Sequence, residues 1–135
     1  MHRKVTRQAK TSNLLPGTIV HVGERRTENA EISVMHYNQK DLQEHKVRSV
    51  KEAVKHKGKS GVTWINVNGI HDRSVIEEIG KYFKLHPLLL EDIANTEQRP
   101  KLEDFGKYLF VVMKLLTMDE QNQEMRTEQV SVIIG

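Results

Sequence analysis

The sequence has 135 residues, of which 37% are hydrophobic and 29% are charged, and these values predict one globular domain with a single core. It contains no cysteine, which excludes disulfide bonds and thiolate metal sites. It also lacks the apolar run of about 18 to 20 residues that a membrane helix needs, and it lacks the apolar stretch of a secretion signal. The chain as given is therefore expected to be soluble.

The excess of basic residues is confined to the start of the chain. The formal net charge is +3, and residues 1–13 hold four basic residues and no acid, which leaves a net charge of −1 for residues 14–135. A basic leader without periodicity is typical of a flexible tail, although an arm that touches phosphate or anionic lipid is the alternative. We therefore predict a flexible tail over residues 1–13, a domain over residues 14–135, and no nucleic-acid partner.

The first part of this domain predicts strands and charged helices. Residues 14–17 indicate a turn, and residues 18–22 and 31–37 have the alternation and the β-branched residues of strands. A polar loop over residues 23–29 would join these strands as a hairpin. Residues 41–56 are charged and compatible with one or two short helices.

The second part predicts two helices and a strand hairpin around a central strand. Residues 62–67 are apolar on both faces of the predicted strand, so we expect this strand to be covered on both sides. An amphipathic helix follows, in which Ser74 and Glu77 have the spacing of a capping box. Residues 107–118 and 127–134 predict a hairpin. The element order β-β-α-β-α-α-β-β predicts an α/β domain with a mixed β-sheet and helices packed on it.

The most informative segment is residues 86–101, because it places two adjacent carboxylates on a short helix between two prolines. The first proline suits the start of a helix and the second disfavours helix at the residue before it, so we predict a helix over about residues 87–95. The apolar side chains gather on one side of this helix, whereas Glu91 and Asp92 lie on the opposite side. The two acids are therefore predicted to face solvent or a partner.

Glu91 and Asp92 are the candidate metal ligands. Neighbouring helical side chains diverge by about 100°, so we expect each acid to give one oxygen to a site that water or another chain completes. Oxygen ligands suit hard cations such as Mg²⁺ or Ca²⁺. The simplest alternative is that both acids are only solvated.

Other chemistries have weaker signals. Residues 53–60 fit a relaxed phosphate-loop pattern, but a helical segment precedes and a strand follows, which reverses the required order. The seven histidines lack the spacing of zinc motifs. His71 and His86 each precede a helix, where hydrogen bonding to the backbone is the simplest role and a general base or metal ligand is the alternative. No nucleophile, base and orienting group come together, so we predict no enzyme.

Five segments occur in order along the domain: Leu-Pro-Gly-Thr at 15–18, Thr-Trp-Ile-Asn-Val-Asn-Gly-Ile-His at 63–71, His-Pro-Leu-Leu-Leu-Glu-Asp-Ile at 86–93, Gln-Arg-Pro-Lys at 98–101 and Glu-Gln-Val-Ser at 128–131. Together they resemble the cytoplasmic N-terminal domain of CorA-type magnesium and cobalt transporters. The resemblance covers about residues 14–135. It implies an α/β/α sandwich-like funnel domain, incomplete at its C-terminal end, in a homopentamer of the cell membrane whose stalk and two membrane helices lie outside these residues.

The resemblance also implies a regulatory role for the paired acids. In the family, the acids that match Glu91 and Asp92 lie between neighbouring funnel domains and share divalent cations with an acid of the neighbour's stalk. High intracellular Mg²⁺ then holds the pentamer closed. The implied ligand is thus a regulatory Mg²⁺ ion, bound weakly by this chain alone, with Co²⁺ or Ca²⁺ as substitutes.

Three alternatives remain at this stage. A zinc transporter of the same superfamily would share the fold and part of the motif. A stand-alone α/β binding module would lack the membrane helices, with their Gly-Met-Asn signature, that the family carries. An acid/base enzyme would require His71 or His86 to converge with Glu91 in one pocket.

Overall fold

A computed structural model gives the fold and describes residues 15–23, 29–57 and 60–135. The predicted tail over residues 1–13 lies outside the described residues, as do residues 24–28 of the predicted hairpin loop. The elements in chain order are β1 (Glu31–Tyr37), β2 (Leu42–Val47), α1 (Val50–Lys55), β3 (Val62–Asn68), α2 (Arg73–Phe83), α3 (Pro87–Ala94), β4 (Lys101–Asp104), β5 (Leu109–Asp119) and β6 (Glu124–Ile134).

The strands of the described chain form two three-stranded sheets, both antiparallel. Their orders are β2-β1-β3 in the first sheet and β4-β5-β6 in the second. In the first sheet Val34 lies opposite His45 on one side and Ile65 on the other. In the second, Phe110 lies between Glu103 and Ile133. The predicted α/β class is confirmed, with the strands divided between two sheets.

Helix α2 lies between two hydrophobic cores, whereas the length and composition predicted a single core. Ile79 of α2 packs against both of them. Gly80 allows close approach of the next helix, because a Cβ atom at this position would overlap Cδ1 of Leu90. The smaller core lies between the first sheet and α1, and the larger joins α2 and α3 to the second sheet; its buried members are Ile19, Ile76, Leu85, Leu89, Leu90, Ala94, Phe110 and Val112.

Only one face of the first sheet is covered by described residues. Ile32 and Val34 are buried on the face that packs against α1 and α2. The opposite face carries Trp64, which is 49% exposed, and Val62, which is 48% exposed. The expectation that β3 is covered on both sides is therefore wrong for the described structure, because both helices that pack on this sheet lie on the same side.

Helix α1 confirms a short helix within residues 41–56, but the rest of that prediction and one other prediction in the first half are wrong. Residues 42–47 form strand β2 because they pair along the edge of β1, although five of their six side chains are exposed and four are polar or charged. The turn before β2 explains the pairing, since Asn38 Oδ1 accepts hydrogen bonds from the backbone N–H groups of Lys40 at 2.8 Å and Asp41 at 3.0 Å. Residues 18–22 form no strand, and Val22 makes only an isolated parallel bridge to Asn95.

The N-terminal cap of helix α2 differs from the predicted one. Asp72 caps α2, because its Oδ1 accepts from the Ser74 backbone N–H at 3.0 Å and from the Ser74 hydroxyl at 2.6 Å. The hydroxyl of Ser74 and the backbone N–H groups lower the pKa of Asp72. The predicted capping box is thus wrong, and Glu77 instead pairs with Arg73.

The second half of the chain agrees more closely with the prediction. Helix α3 spans Pro87–Ala94, against the predicted residues 87–95. The predicted hairpin is confirmed as β5 and β6, which pair along their whole length. Strand β4, which has only four residues, was not predicted.

Candidate cation site on helix α3

Local sequence fixes the start of α3. Pro87 occupies the first turn, and Nδ1 of His86 accepts a hydrogen bond from the Leu88 backbone N–H at 3.2 Å. The His86 backbone N–H in turn donates to the Tyr108 hydroxyl at 3.0 Å. Leu89, one of three buried residues on the inner side of α3, is completely buried. The rotation of the helix is therefore fixed, and Glu91 and Asp92 lie at the rim of the core.

Both oxygens of Asp92 have partners within the chain. Oδ2 lies 2.6 Å from the Lys101 ammonium, and Oδ1 accepts from Nε2 of Gln98 at 2.8 Å. The side chains of Lys101 and Asp92 are 25% and 26% exposed, so this ion pair is largely shielded from water. Lys101 also contacts Glu103 at 3.0 Å and lies 5.5 Å from the centre of the Phe110 ring.

These contacts stabilise the charged form of Lys101. Burial acts to lower the pKa of this ammonium, but its hydrogen bonds with Asp92 and Glu103 outweigh burial and raise the pKa above its ordinary value. The structure therefore places a positive charge beside Asp92 throughout the physiological pH range.

Glu91 contacts a different part of the chain. Its Oε2 accepts a hydrogen bond from the Gly17 backbone N–H at 2.9 Å. Gly17 has a φ of +84°, which favours glycine, and it belongs to the predicted turn, where the Thr18 N–H donates to the Leu15 carbonyl at 3.1 Å.

The residues after this turn run alongside α3. The Val22 N–H donates to the Ala94 carbonyl at 3.0 Å, and the Thr96 N–H donates to the Val22 carbonyl at 2.9 Å. Residues 15–23 are called segment 15–23 below. It contacts α3 from Glu91 to just beyond the end of the helix, which explains why residues 18–22 do not pair with β1.

The structure places both predicted acids on one helix but does not leave them open to solvent. Glu91 and Asp92 are half-buried, and each is held by its own partners on a different side. The sequence predicted that both acids face solvent or a partner, and it did not indicate the contacts with Gly17 and Lys101, which lie in other parts of the sequence. No group of three or more His, Asp or Glu side chains arranged to hold a metal occurs among the described residues.

Three residues of this site were not predicted. Gly17, Gln98 and Lys101 all belong to segments that carry the family resemblance, which is the signal that could have found them. The two candidate histidines are used elsewhere: His86 caps α3, and the ring of His71 lies against that of His21. The enzyme alternative therefore gains no support, because Glu91 hydrogen-bonds to backbone and not to an imidazole.

The raised pKa of Lys101 predicts a pH dependence of stability. The ion pair contributes fully below the unfolded-state pKa, near the ordinary value of 10.5, and the contribution is lost as pH rises through the higher folded-state value. Urea unfolding from pH 9 to 12 is therefore expected to show a smaller alkaline loss of stability in Lys101→Met than in wild type. Lys107→Met, which removes an exposed lysine, serves as the control, and an unchanged alkaline loss in Lys101→Met would contradict the assignment.

Comparisons with known proteins identify the family of this chain. Residues 59–135 match the family model described as CorA-like Mg²⁺ transporter protein. The chain therefore belongs to the CorA-like family, as the five segments predicted. It is 42% identical over 128 residues to the cobalt/magnesium transport protein CorA of Thermotoga maritima, and the alignment covers 95% of this chain and 36% of that relative. The chain thus spans little more than a third of the length of the relative.

None of the described helices combines the length and the apolar character needed to cross a membrane.

Proposed function

We propose that this chain is the cytoplasmic, Mg²⁺-sensing part of a CorA-like transporter of magnesium and cobalt ions, which acts at the cell membrane as a homopentamer. Family membership and the name of the Thermotoga relative support the transporter class. The observation that carries the sensing role is the pair of half-buried carboxylates at consecutive positions of α3, one of which binds an ammonium group.

The position of the Lys101 ammonium beside Asp92 is one where a positive charge is favoured. It lies 2.6 Å from Asp92 in a partly shielded site, where charges interact more strongly than in water. A divalent ion carries twice this charge and competes for the same oxygen. Glu103, at 3.0 Å from Lys101, offers the ammonium another partner when the ion binds. When the divalent ion binds, the Asp92 carboxylate therefore exchanges its contact with the Lys101 ammonium for a contact with the ion.

The sensing step follows from electrostatics between subunits. Acids that face each other across an interface repel one another when no cation lies between them, and a shared divalent ion converts this repulsion into attraction. Occupancy then favours the closed assembly through its higher affinity for the ion. Glu91 and Asp92 each supply one oxygen, Mg²⁺ retains several of its waters, and the neighbouring stalk supplies the remaining protein ligand, so the isolated chain binds the ion weakly. Co²⁺ or Ca²⁺ would substitute at the same oxygens.

The ligand types favour this role over the alternatives. Zinc sites in proteins are built mainly from imidazole and thiolate groups, whereas this site offers carboxylate oxygens. The alignment with a much longer transport protein favours a transporter over a stand-alone binding module.

Protease protection of the full-length protein tests the role of Asp92. Millimolar Mg²⁺ is expected to protect the wild-type protein, and Asp92→Asn is expected to raise the Mg²⁺ concentration at half-protection by about tenfold or more, because a ligand oxygen loses its charge. Glu120→Gln removes an exposed acid from the β5–β6 turn and serves as the control. Equal protection of wild type and Asp92→Asn would overturn the proposed role.

A further inference from the structure

The turn at the start of segment 15–23 holds the carboxylate of Glu91 by one oxygen. The Gly17 N–H donates to Glu91 Oε2 at 2.9 Å in a partly buried position. Two hydrogen bonds to the Leu15 carbonyl close this turn, one from the Thr18 N–H at 3.1 Å and one from the Thr18 hydroxyl at 2.6 Å. The donor to Glu91 is therefore a backbone group of a closed turn, and its direction does not depend on a flexible side chain.

Segment 15–23 is also fixed beyond this turn. Ile19 is buried in the larger core, together with the inner side of α3. The Val22 carbonyl accepts from the Thr96 N–H at 2.9 Å and from the Thr96 hydroxyl at 2.7 Å. The turn that contacts Glu91 thus lies at one end of a segment whose other end is held just beyond the end of α3.

The position of this donor favours glycine. Gly17 has a φ of +84°, which L side chains rarely adopt, and a Cβ atom on it would lie 3.1 Å from Cβ of Pro87 in the first turn of α3. Gly106, in the turn between β4 and β5, has a similar φ of +79°, and a Cβ atom there would meet no heavy atom within 4 Å outside its chain neighbours. The two glycines share a backbone conformation, but only Gly17 touches α3.

A carboxylate held in this way is prepared to bind a metal ion. A glutamate side chain loses rotational freedom when it is ordered, and a hydrogen bond that already orders it reduces this cost when the ion binds. Carboxylates that bind metals are themselves hydrogen-bonded, and loss of such a supporting partner weakens metal binding by about 10- to 100-fold. A carboxylate has two oxygens with about four lone pairs, so Glu91 can accept from Gly17 and still give one oxygen to an ion.

We propose that segment 15–23 is part of the cation sensor, in which the Gly17 N–H positions the Glu91 carboxylate for the ion. This inference rests on the proposed function, because it assigns a positioning residue to the same site. Coupling between two binding events is reciprocal. An ion that binds more tightly when Glu91 is held by Gly17 therefore also strengthens the attachment of segment 15–23 to α3.

Protease protection of the full-length protein tests the positioning role. Gly17→Ala is expected to raise the Mg²⁺ concentration at half-protection by about fivefold or more, because the added Cβ strains the turn and moves the donor away from Glu91. Gly106→Ala imposes the same backbone strain away from α3 and is expected to keep the wild-type value. Thermal unfolding without Mg²⁺ verifies the fold of both variants. An unchanged or lower Mg²⁺ requirement in Gly17→Ala would overturn the proposal.

Hydrogen exchange of the full-length wild-type protein supplies a second measurement that a purely structural contact would not change. Saturating Mg²⁺ is expected to slow exchange of the backbone amides of segment 15–23 by about fivefold, because the coupling is reciprocal. The amides of residues 120–123, in the exposed turn between β5 and β6, serve as the control. Exchange of segment 15–23 that does not respond to Mg²⁺ would overturn the proposal.

The two proposals for this site fail in different ways. If Asp92→Asn raises the Mg²⁺ requirement and Gly17→Ala does not, the sensing role stands and the positioning role of Gly17 is wrong. If neither variant changes the requirement, the Mg²⁺-sensing role is wrong, and the positioning role is overturned with it.

Discussion

Replacement of Phe110 by alanine is expected to lower the free energy of unfolding by about 3 to 5 kcal/mol. The Phe110 ring is completely buried at the centre of the larger core, on the middle strand of the second sheet. Its removal leaves a cavity that α3 and the sheet cannot fill without moving apart. It also removes the aromatic face below Lys101, which lies 5.5 Å from the ring centre. Urea unfolding followed by circular dichroism would measure the loss.

Leu102→Ala is the matched control for Phe110→Ala. Leu102 lies on β4 in the same sheet but is 66% exposed, so its truncation is expected to change stability by about 0.5 kcal/mol or less. A loss below about 1.5 kcal/mol for Phe110→Ala would be under the usual cost of truncating a buried phenylalanine and would contradict its central position in the core.

Lys101→Met is expected to increase the sensitivity of the full-length protein to Mg²⁺. In wild type the ion competes with an ammonium group that lies 2.6 Å from Asp92, and methionine keeps a similar length without the charge. A partly shielded ion pair contributes about 1 kcal/mol, so the Mg²⁺ concentration at half-protection is expected to fall about fivefold. Protease protection over a range of Mg²⁺ concentrations would measure this shift.

Lys101→Arg separates charge from shape in this experiment. Arginine retains the positive charge, so it is expected to keep the Mg²⁺ requirement close to that of wild type. If Lys101→Met instead required more Mg²⁺, the role of Lys101 would be to position Asp92 for the ion, and the competition described above would be wrong.

Elements with local signals were predictable from the sequence. The prolines on either side of residues 88–99 and the apolar pattern between them define α3, and the polar break at residues 119–123 defines the β5–β6 hairpin. Both are indicated by residues that lie close together in the sequence. The order of the predicted elements indicated the α/β class, which the structure confirms, and the family resemblance is confirmed by the family match.

Elements that depend on distant partners were not predictable in the same way. Strand β2 has an exposed, charged sequence and exists because β1 offers an edge. Segment 15–23 has the composition of a strand, yet it runs along α3. The acids of the candidate site were found from the sequence, but Gly17 lies 74 positions from Glu91, and no local pattern indicates that contact.

The contact between Gly17 and Glu91 also closes a long loop of the chain. It closes a loop of 74 positions, and the whole first sheet lies inside this loop. For a flexible chain, closing such a loop costs about 2 kcal/mol more in entropy than closing one of about ten residues. A folded first sheet shortens the path between the two ends and reduces this cost. The backbone connectivity thus couples the free energy of attaching segment 15–23 to the folding of a sheet with which its backbone does not pair.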